Sequence, residues 1–228
     1  MDPARNFTPE NGTQRSGNAK LSYFMPIYKT YKVPNNTQLL IWNITEDEPE
    51  LRYGIKLTDL CNNRLAKMKS KTHRCGFLSV RQLLANVGYS PGALRYDAFG
   101  KPHLHDGKYI SISHSHGFAV IAFGDKPIGI DVEKERPKVH LIASKFLHAS
   151  EMVSNPSDRI ITTQWCIKES AYKALGKKSI SFLNDIRMTN INTKHPIAHV
   201  RNQSGSIILK NWLFYWKNYS CCLAIKID

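Results

Sequence analysis

Acidic residues are scarce in this chain: 18 Asp and Glu stand against 32 Lys and Arg in 228 residues, a net charge of +14 with histidine neutral. So basic a protein faces something anionic, whether nucleic acid, an anionic membrane, a phosphorylated ligand or an acidic protein, and charge alone does not choose. Long apolar runs are missing too. The longest, FAVIAF at 118–123, falls far short of the roughly 18 to 20 residues a membrane span needs. Residues 1–20 contain no apolar segment, so the expectation is a cytoplasmic protein without a secretory signal. There is no CxxC pair among the five cysteines (61, 75, 166, 221 and 222), and an odd number cannot all pair within one chain. Reduced thiols suit that compartment. Cys221 and Cys222 lie in an apolar stretch and read as small buried strand residues. Zinc-finger, RRM and helix-turn-helix signatures are likewise absent, which weakens the reading of the charge as a nucleic-acid footprint.

What is present is 42% hydrophobic and 10% aromatic, the composition of a folded globular protein. The charge is unevenly spread. Between 60 and 96 lie Arg64, Lys67, Lys69, Lys71, Arg74, Arg81 and Arg95 with no acid, and 186–227 is again basic and acid-free. The acids gather at 46–50, at 131–135, and at Glu151, Asp158 and Glu169.

Residues 1–24, rich in Asn, Gly, Pro and Ser, read as a disordered leader, with Met25 as a conceivable second start. Residues 38–44 (QLLIWNI) pattern as a strand, 50–60 and 65–86 as helices, 100–107 as a loop. Short strands at 109–113, 118–123 and 128–133, joined by tight turns, predict an antiparallel meander. Helices are expected at 139–146 and at 159–175, the latter stopped by Gly176. Strands grouped apart from helices argue for α+β. The expectation is two pseudo-symmetric, similar halves, 25–126 and 127–228, each a small antiparallel sheet packed with helices.

Three constellations carry chemistry. In GIDVE (129–133), strand alternation puts Asp131 and Glu133 on one side and Ile130 and Val132 on the other. Two carboxylates about 5 Å apart repel by roughly 3 kcal/mol at an effective dielectric near 20, a cost that a divalent cation cancels; magnesium is commonly held by one or two carboxylates plus substrate phosphates. Taken alone, the pair could equally be a solvated strand edge. In WCIKESAYKALGK (165–177), Glu169 and Lys173 share a helix face at i and i+4; alone, this is a surface ion pair. The run Gly-Lys-Lys-Ser at 176–179 is not a phosphate-binding loop of Walker type, because its earlier glycine and final Ser/Thr are missing. In ISHS (112–115), a Ser-His at a strand end can bond phosphate; the HxH pairs 103/105 and 114/116 lack the third ligand that zinc requires.

In order, GKPHL (100–104), ISHS, GIDVE, FLHASE (146–151) and WCIKESAYKALGK resemble the 4′-phosphopantetheinyl transferase superfamily in its two-repeat, surfactin-synthetase-activating (Sfp) type. The resemblance implies transfer of the phosphopantetheine arm of coenzyme A to a serine of an apo acyl carrier protein or peptidyl carrier domain, releasing adenosine 3′,5′-bisphosphate. This is a holo-carrier synthase activity serving fatty-acid, polyketide or nonribosomal-peptide synthesis. It further implies magnesium on Asp131, Glu133 and Glu169, and coenzyme A phosphates on Lys101, Ser113 and His114. Lys173 falls beside the pyrophosphate, Lys71 or Arg74 near the 3′-phosphate, and Glu151 in a supporting place. Glu169, Lys173 and His114 are the expected catalytic groups, in a monomer that binds neither nucleic acid nor membrane. The competing reading is a basic nucleic-acid-binding protein without catalysis, whose binding falls steeply with salt and needs no coenzyme A.

Overall fold

In a computed structural model that describes residues 27–176, 180–202 and 205–227, the chain is α+β with two antiparallel sheets. The leader expected at 1–24, the start at Met25 and positions 177–179 lie outside the described residues.

A hairpin of β1 (Lys29–Val33) and β2 (Thr37–Asn43) opens the fold. The two helices expected next are three: α1 (Glu48–Arg52), α2 (Asp59–Lys67) and α3 (Lys71–Asn86). Capping is the reason. Asp47 and Glu50 form a reciprocal capping box on α1, and the Thr58 and Ser70 hydroxyls accept the N–H groups of Cys61 and His73, so each starts a new helix. Then come β3 (Leu94–Tyr96), β4 (Pro102–Leu104), β5 (Tyr109–Ser115) and β6 (Phe118–Gly124). The loop expected at 100–107 thus contains a short strand. After β7 (Ile128–Lys134), the stretch expected as one helix is a 3-10 segment, Pro137–Ile142, with a single helical turn, α4 (Ala143–Phe146). The long helix α5 (Asp158–Leu175) is followed by β8 (Ile186–Thr189), β9 (Ile197–Asn202), β10 (Gly205–Trp216) and β11 (Tyr219–Ile227).

The first sheet has the order β1-β2-β6-β5-β4-β3 and the second β7-β11-β10-β9-β8. Leaving β1 aside, both are wound alike: the first strand pairs with the last, and the helices intervene between the first strand and the second. The two halves are similar in this sense. The expected meander is corrected here. Strand β6 already has β2 on one edge and β5 on the other, so β7 crosses to the second sheet and pairs with β11.

Three cores follow from strand alternation. Leu40 and Trp42 of β2 face the helices of the first half with Phe77, Leu78 and Leu83 of α3. Ile167, Ala171 and Ala174 of α5 pack with Cys222 and Ala224 of β11. Between the sheets lie Leu39, Ile41, Val120, Ile130, Val132, Leu223 and Ile225. The layers therefore run helices, sheet, sheet, helices. Cys221 and Cys222 are buried strand residues on opposite faces of β11, as their sequence context suggested. Among the described residues no helix is long and apolar enough to cross a membrane.

Helix α5 lies on β7 where Gly129 has no side chain. A Cβ built there would sit 1.9 Å from the Ser170 carbonyl oxygen and 2.5 Å from the Ala174 nitrogen, and backbone cannot yield as a flexible side chain would. Gly129→Ala should therefore displace α5 and lower the melting temperature by roughly 5 °C or more. A circular-dichroism melt superimposable on wild type would show that the helix is not seated this closely.

Candidate active site

One cleft of about 470 Å³ collects most of the residues singled out in the sequence: Lys101, Ser113, His114, Asp131, Glu133, Glu169 and Lys173 all line it. Three elements aim them. Strand β7 turns Asp131 and Glu133 to the side on which α5 lies, while Ile130 and Val132 enter the core between the sheets. Helix α5 brings Glu169 and Lys173 from one face. Strand β5 alternates: Ile110 and Ile112 pack in the helix-side core, and His114 follows them to lie against Gly76 of α3, whose missing Cβ leaves room for the ring. Ser111, Ser113 and Ser115 point the other way, toward β7.

Those serines form a seam. The hydroxyls of Ser111, Ser113 and Ser115 accept the backbone N–H groups of Ile130, Val132 and Lys134 at 2.9, 3.4 and 3.4 Å. They satisfy the free edge of β7 without extending the sheet. Two of them also donate: Ser113 Oγ to Asp131 Oδ1 at 2.9 Å and Ser115 Oγ to Glu133 Oε2 at 2.8 Å. Lys173 Nζ donates to Asp131 Oδ1 at 2.7 Å and to Ser113 Oγ at 3.2 Å.

The electrostatics are those of three acids against one lysine. Burial, reinforced by the charges of Asp131 and Glu133, lifts the Glu169 carboxyl to about 7 against the partial relief of Lys173. Burial and the charge of Asp131 likewise raise Glu133. Burial opposes the charge on Lys173, but Asp131 beside it more than offsets this, and the ammonium is held above the ordinary lysine value. Burial, with His73 and Lys173 nearby, lowers His114, so its imidazole is neutral near pH 7. Asp131 Oδ2 is buried with no hydrogen-bond partner among the described residues. An unpaired buried carboxylate oxygen is costly, and a cation would remove that cost. Among the described residues no set of three histidine, cysteine or carboxylate side chains encloses a metal position. The arrangement is an open, oxygen-only donor set, the kind that suits a hard cation whose remaining ligands are water and phosphate.

Other residues fall elsewhere. Lys101, lowered by burial, reaches from the cleft wall to the end of α5, where its Nζ donates to the Ala174 carbonyl at 2.7 Å. That helix stops at Gly176 in the left-handed conformation, φ 66. Arg74 and Lys71 do not line the cleft. The Arg74 guanidinium is taken by Glu48 at 2.7 Å and by the carbonyls of Met68 and Lys69; Lys71 is exposed at the start of α3. From that helix turn it is His73 whose ring comes within 6.0 Å of His114. Glu151 is fully buried with Lys168, Nζ to Oε2 at 2.6 Å. The same carboxylate accepts the N–H groups of His148 and Met188, and Lys168 also donates to the carbonyls of Phe182 and Ile186.

The sequence analysis missed the apolar wall of Tyr96, Phe99, Ile110, Ile112 and Tyr172. Tyr96 is backed by the Arg64 guanidinium 4.0 Å from its ring and by Arg81, which donates to its hydroxyl at 3.4 Å. No periodicity marks Tyr96, because β3 is three residues long.

Residues 127–224 match the family model of the 4′-phosphopantetheinyl transferase superfamily. The chain is 29% identical over 156 residues to the 4′-phosphopantetheinyl transferase gsp of Aneurinibacillus migulanus, covering 64% of this chain and 66% of that one. It is 31% identical over 122 residues to a 4′-phosphopantetheinyl transferase of Bacillus subtilis (48% and 54%). With the 4′-phosphopantetheinyl transferase Sfp of Bacillus subtilis strain 168 it shares 34% over 87 residues (35% and 39%). The matches thus span between 39% and 66% of these relatives' own lengths. The stretch matched by the family model carries both carboxylates of β7 and the Glu169 and Lys173 face of α5, so the likeness to the 4′-phosphopantetheinyl transferase superfamily falls on residues that line the cleft.

Proposed function

We propose that this chain is a magnesium-dependent 4′-phosphopantetheinyl transferase that moves the phosphopantetheine arm of coenzyme A to a serine hydroxyl of an apo acyl or peptidyl carrier protein. The observation that carries the reading is the meeting, in one cleft between two similar halves, of Asp131, Glu133, Glu169 and Lys173 with Ser113, His114 and Lys101. Both walls come from one chain, which supports a monomer. The cysteines among the described residues are all free and buried, which suits a reducing, cytoplasmic setting.

Magnesium held by Asp131, Glu133 and Glu169 would neutralise the pyrophosphate oxygens. The chain's own groups do the rest. The carrier serine oxygen forms a bond to the β-phosphorus as the bond to the leaving adenosine bisphosphate breaks, and the serine proton needs an acceptor. Glu169 is the carboxylate at hand to accept it; its rise to about 7 belongs to the cleft without a cation, whose charge would lower it again. Lys173 presents its ammonium, oriented by Asp131 and Ser113, to the phosphate charge. His114, neutral, donates one ring N–H to a phosphate oxygen. Lys101 is within the same wall and reaches phosphate by giving up its bond to the end of α5. The Ser113 hydroxyl is committed to Asp131, Lys173 and Val132, so its part is to hold these groups more than to meet phosphate directly. Lys71 and Arg74 remain candidates for the 3′-phosphate only if a ligand draws Arg74 away from Glu48.

Purified protein incubated with coenzyme A, magnesium and apo carriers should add the mass of the phosphopantetheine arm, read by mass spectrometry; no addition to any of several carriers would overturn the reading. Asp131→Ala and Glu169→Ala should each lower kcat/KM roughly 100-fold or more, and near-normal rates in either would remove that residue from the site. Folding keeps Glu169 protonated at pH values where the unfolded chain has lost the proton. Its contribution to stability is complete below its ordinary value of 4.5 and is lost as pH rises through about 7. In cation-free buffer Glu169→Gln should therefore flatten the fall in melting temperature across that window, and parallel profiles for variant and wild type would contradict the assignment. The excess of basic residues in 60–96 and 186–227 also predicts that the KM for an acidic carrier rises with ionic strength as the Debye length contracts below about 10 Å; a salt-independent KM would show that the charge serves something else.

A further inference from the structure

Asp131 and Glu133 are each tied by one oxygen and free at the other. Asp131 Oδ1 is held by Ser113 and Lys173 while Oδ2 has no partner. Glu133 Oε2 is held by Ser115, and no hydrogen bond among the described residues engages its Oε1. The two tethers are equivalent rungs of one strand, 18 residues before the acids they hold in both cases. Each rung is fixed at its other side by a β7 backbone N–H, from Val132 and Lys134. Both serines are buried, at 8% and 6% exposure, so water does not compete for them. A hydroxyl that accepts from the backbone has its single proton directed elsewhere; for Ser115 the nearer acceptor is the Glu133 carboxylate at 2.8 Å, with His116 Nδ1 beyond it at 3.2 Å.

We propose that Ser115 is the positioning residue for Glu133: its hydroxyl fixes one carboxylate oxygen so that the other is presented to the cation, as Ser113 does for Asp131. This rests on the magnesium reading above. Ser111 supplies the comparison within the same strand, since it accepts the Ile130 N–H at 2.9 Å but hydrogen-bonds to no carboxylate among the described residues. It is a rung of the seam alone. The seam therefore joins the halves with three hydroxyls and aims ligands with two of them.

The test is a titration of the full chain with Mn2+, followed by the loss of the free-ion EPR signal, alone and with coenzyme A against a coenzyme A blank, alongside thermal melts. Ser115→Ala should raise the Mn2+ dissociation constant about tenfold or more, the usual effect of removing a group that orients a metal ligand. Ser115→Thr, which keeps the hydroxyl, should restore it to within a few-fold, and Ser111→Ala should lower the melting temperature while leaving Mn2+ affinity within about twofold. If Ser115→Ala does not fold, Ser115→Cys, of similar volume but a weak donor, supplies the same comparison. Unchanged Mn2+ affinity in the Ser115 variants while Glu133→Gln weakens it would overturn the role of Ser115 and leave the metal reading standing. Equal weakening by Ser111→Ala would also overturn it, reducing the serine to a structural rung. A wild-type chain that binds no Mn2+ with or without coenzyme A would overturn the metal reading and this proposal with it.

Discussion

The cleft depends on helix α5 lying on β7 at a separation that only a glycine allows. With Gly129 under Ser170 and Ala174, the helix brings Glu169 and Lys173 down to the level of Asp131 and Glu133, and Lys173 reaches Asp131 at 2.7 Å. Two consequences follow from that proximity. The acids are crowded enough to raise Glu169 and Glu133, and the single lysine among them is bound to one acid and cannot relieve all three. The same closeness that creates the electrostatic cost makes the site receptive to positive charge.

Similar winding in the two halves does not produce two equivalent sites. Strand β2 occupies in the first sheet the place that β7 occupies in the second, yet its helix-facing residues are Leu40 and Trp42, both fully buried. The corresponding side of β7 carries Asp131 and Glu133. One half has kept an apolar seat for its helices, and the other has opened a polar cleft. The first half still contributes: β5 supplies the serines and His114, and Lys101 stands just before β4.

Much of this was legible in the sequence because the motifs are short and local. Asp131 with Glu133, and Glu169 with Lys173, are read from strand and helix periodicity, and their order with GKPHL and ISHS carried the resemblance to a family. What was not legible is long-range. The pattern of Ile and Ser in 110–115 marks a strand, but the N–H groups that the hydroxyls accept lie 19 residues on. The meander failed because pairing depends on which edges are already filled, and β2 had filled that of β6. Arg74 looked available for phosphate because Glu48, 26 residues earlier, is not visible as its partner in one dimension. The three-helix outcome, in contrast, was within reach, since Thr58 and Ser70 are ordinary capping residues overlooked beneath a continuous apolar pattern.

Lys168 and Glu169 are consecutive, and the first is locked in the interior with Glu151 and two carbonyls. Adjacent side chains on a helix diverge by about 100°, so a key seated in its slot at 168 fixes the compass bearing of 169. Rolling α5 by even a fraction of a turn would pull an ammonium from a buried carboxylate, a costly move. The bearing of Glu169 is therefore set during folding, by a charge that never meets solvent or substrate, and its side chain leaves the helix toward the cleft before any ligand arrives.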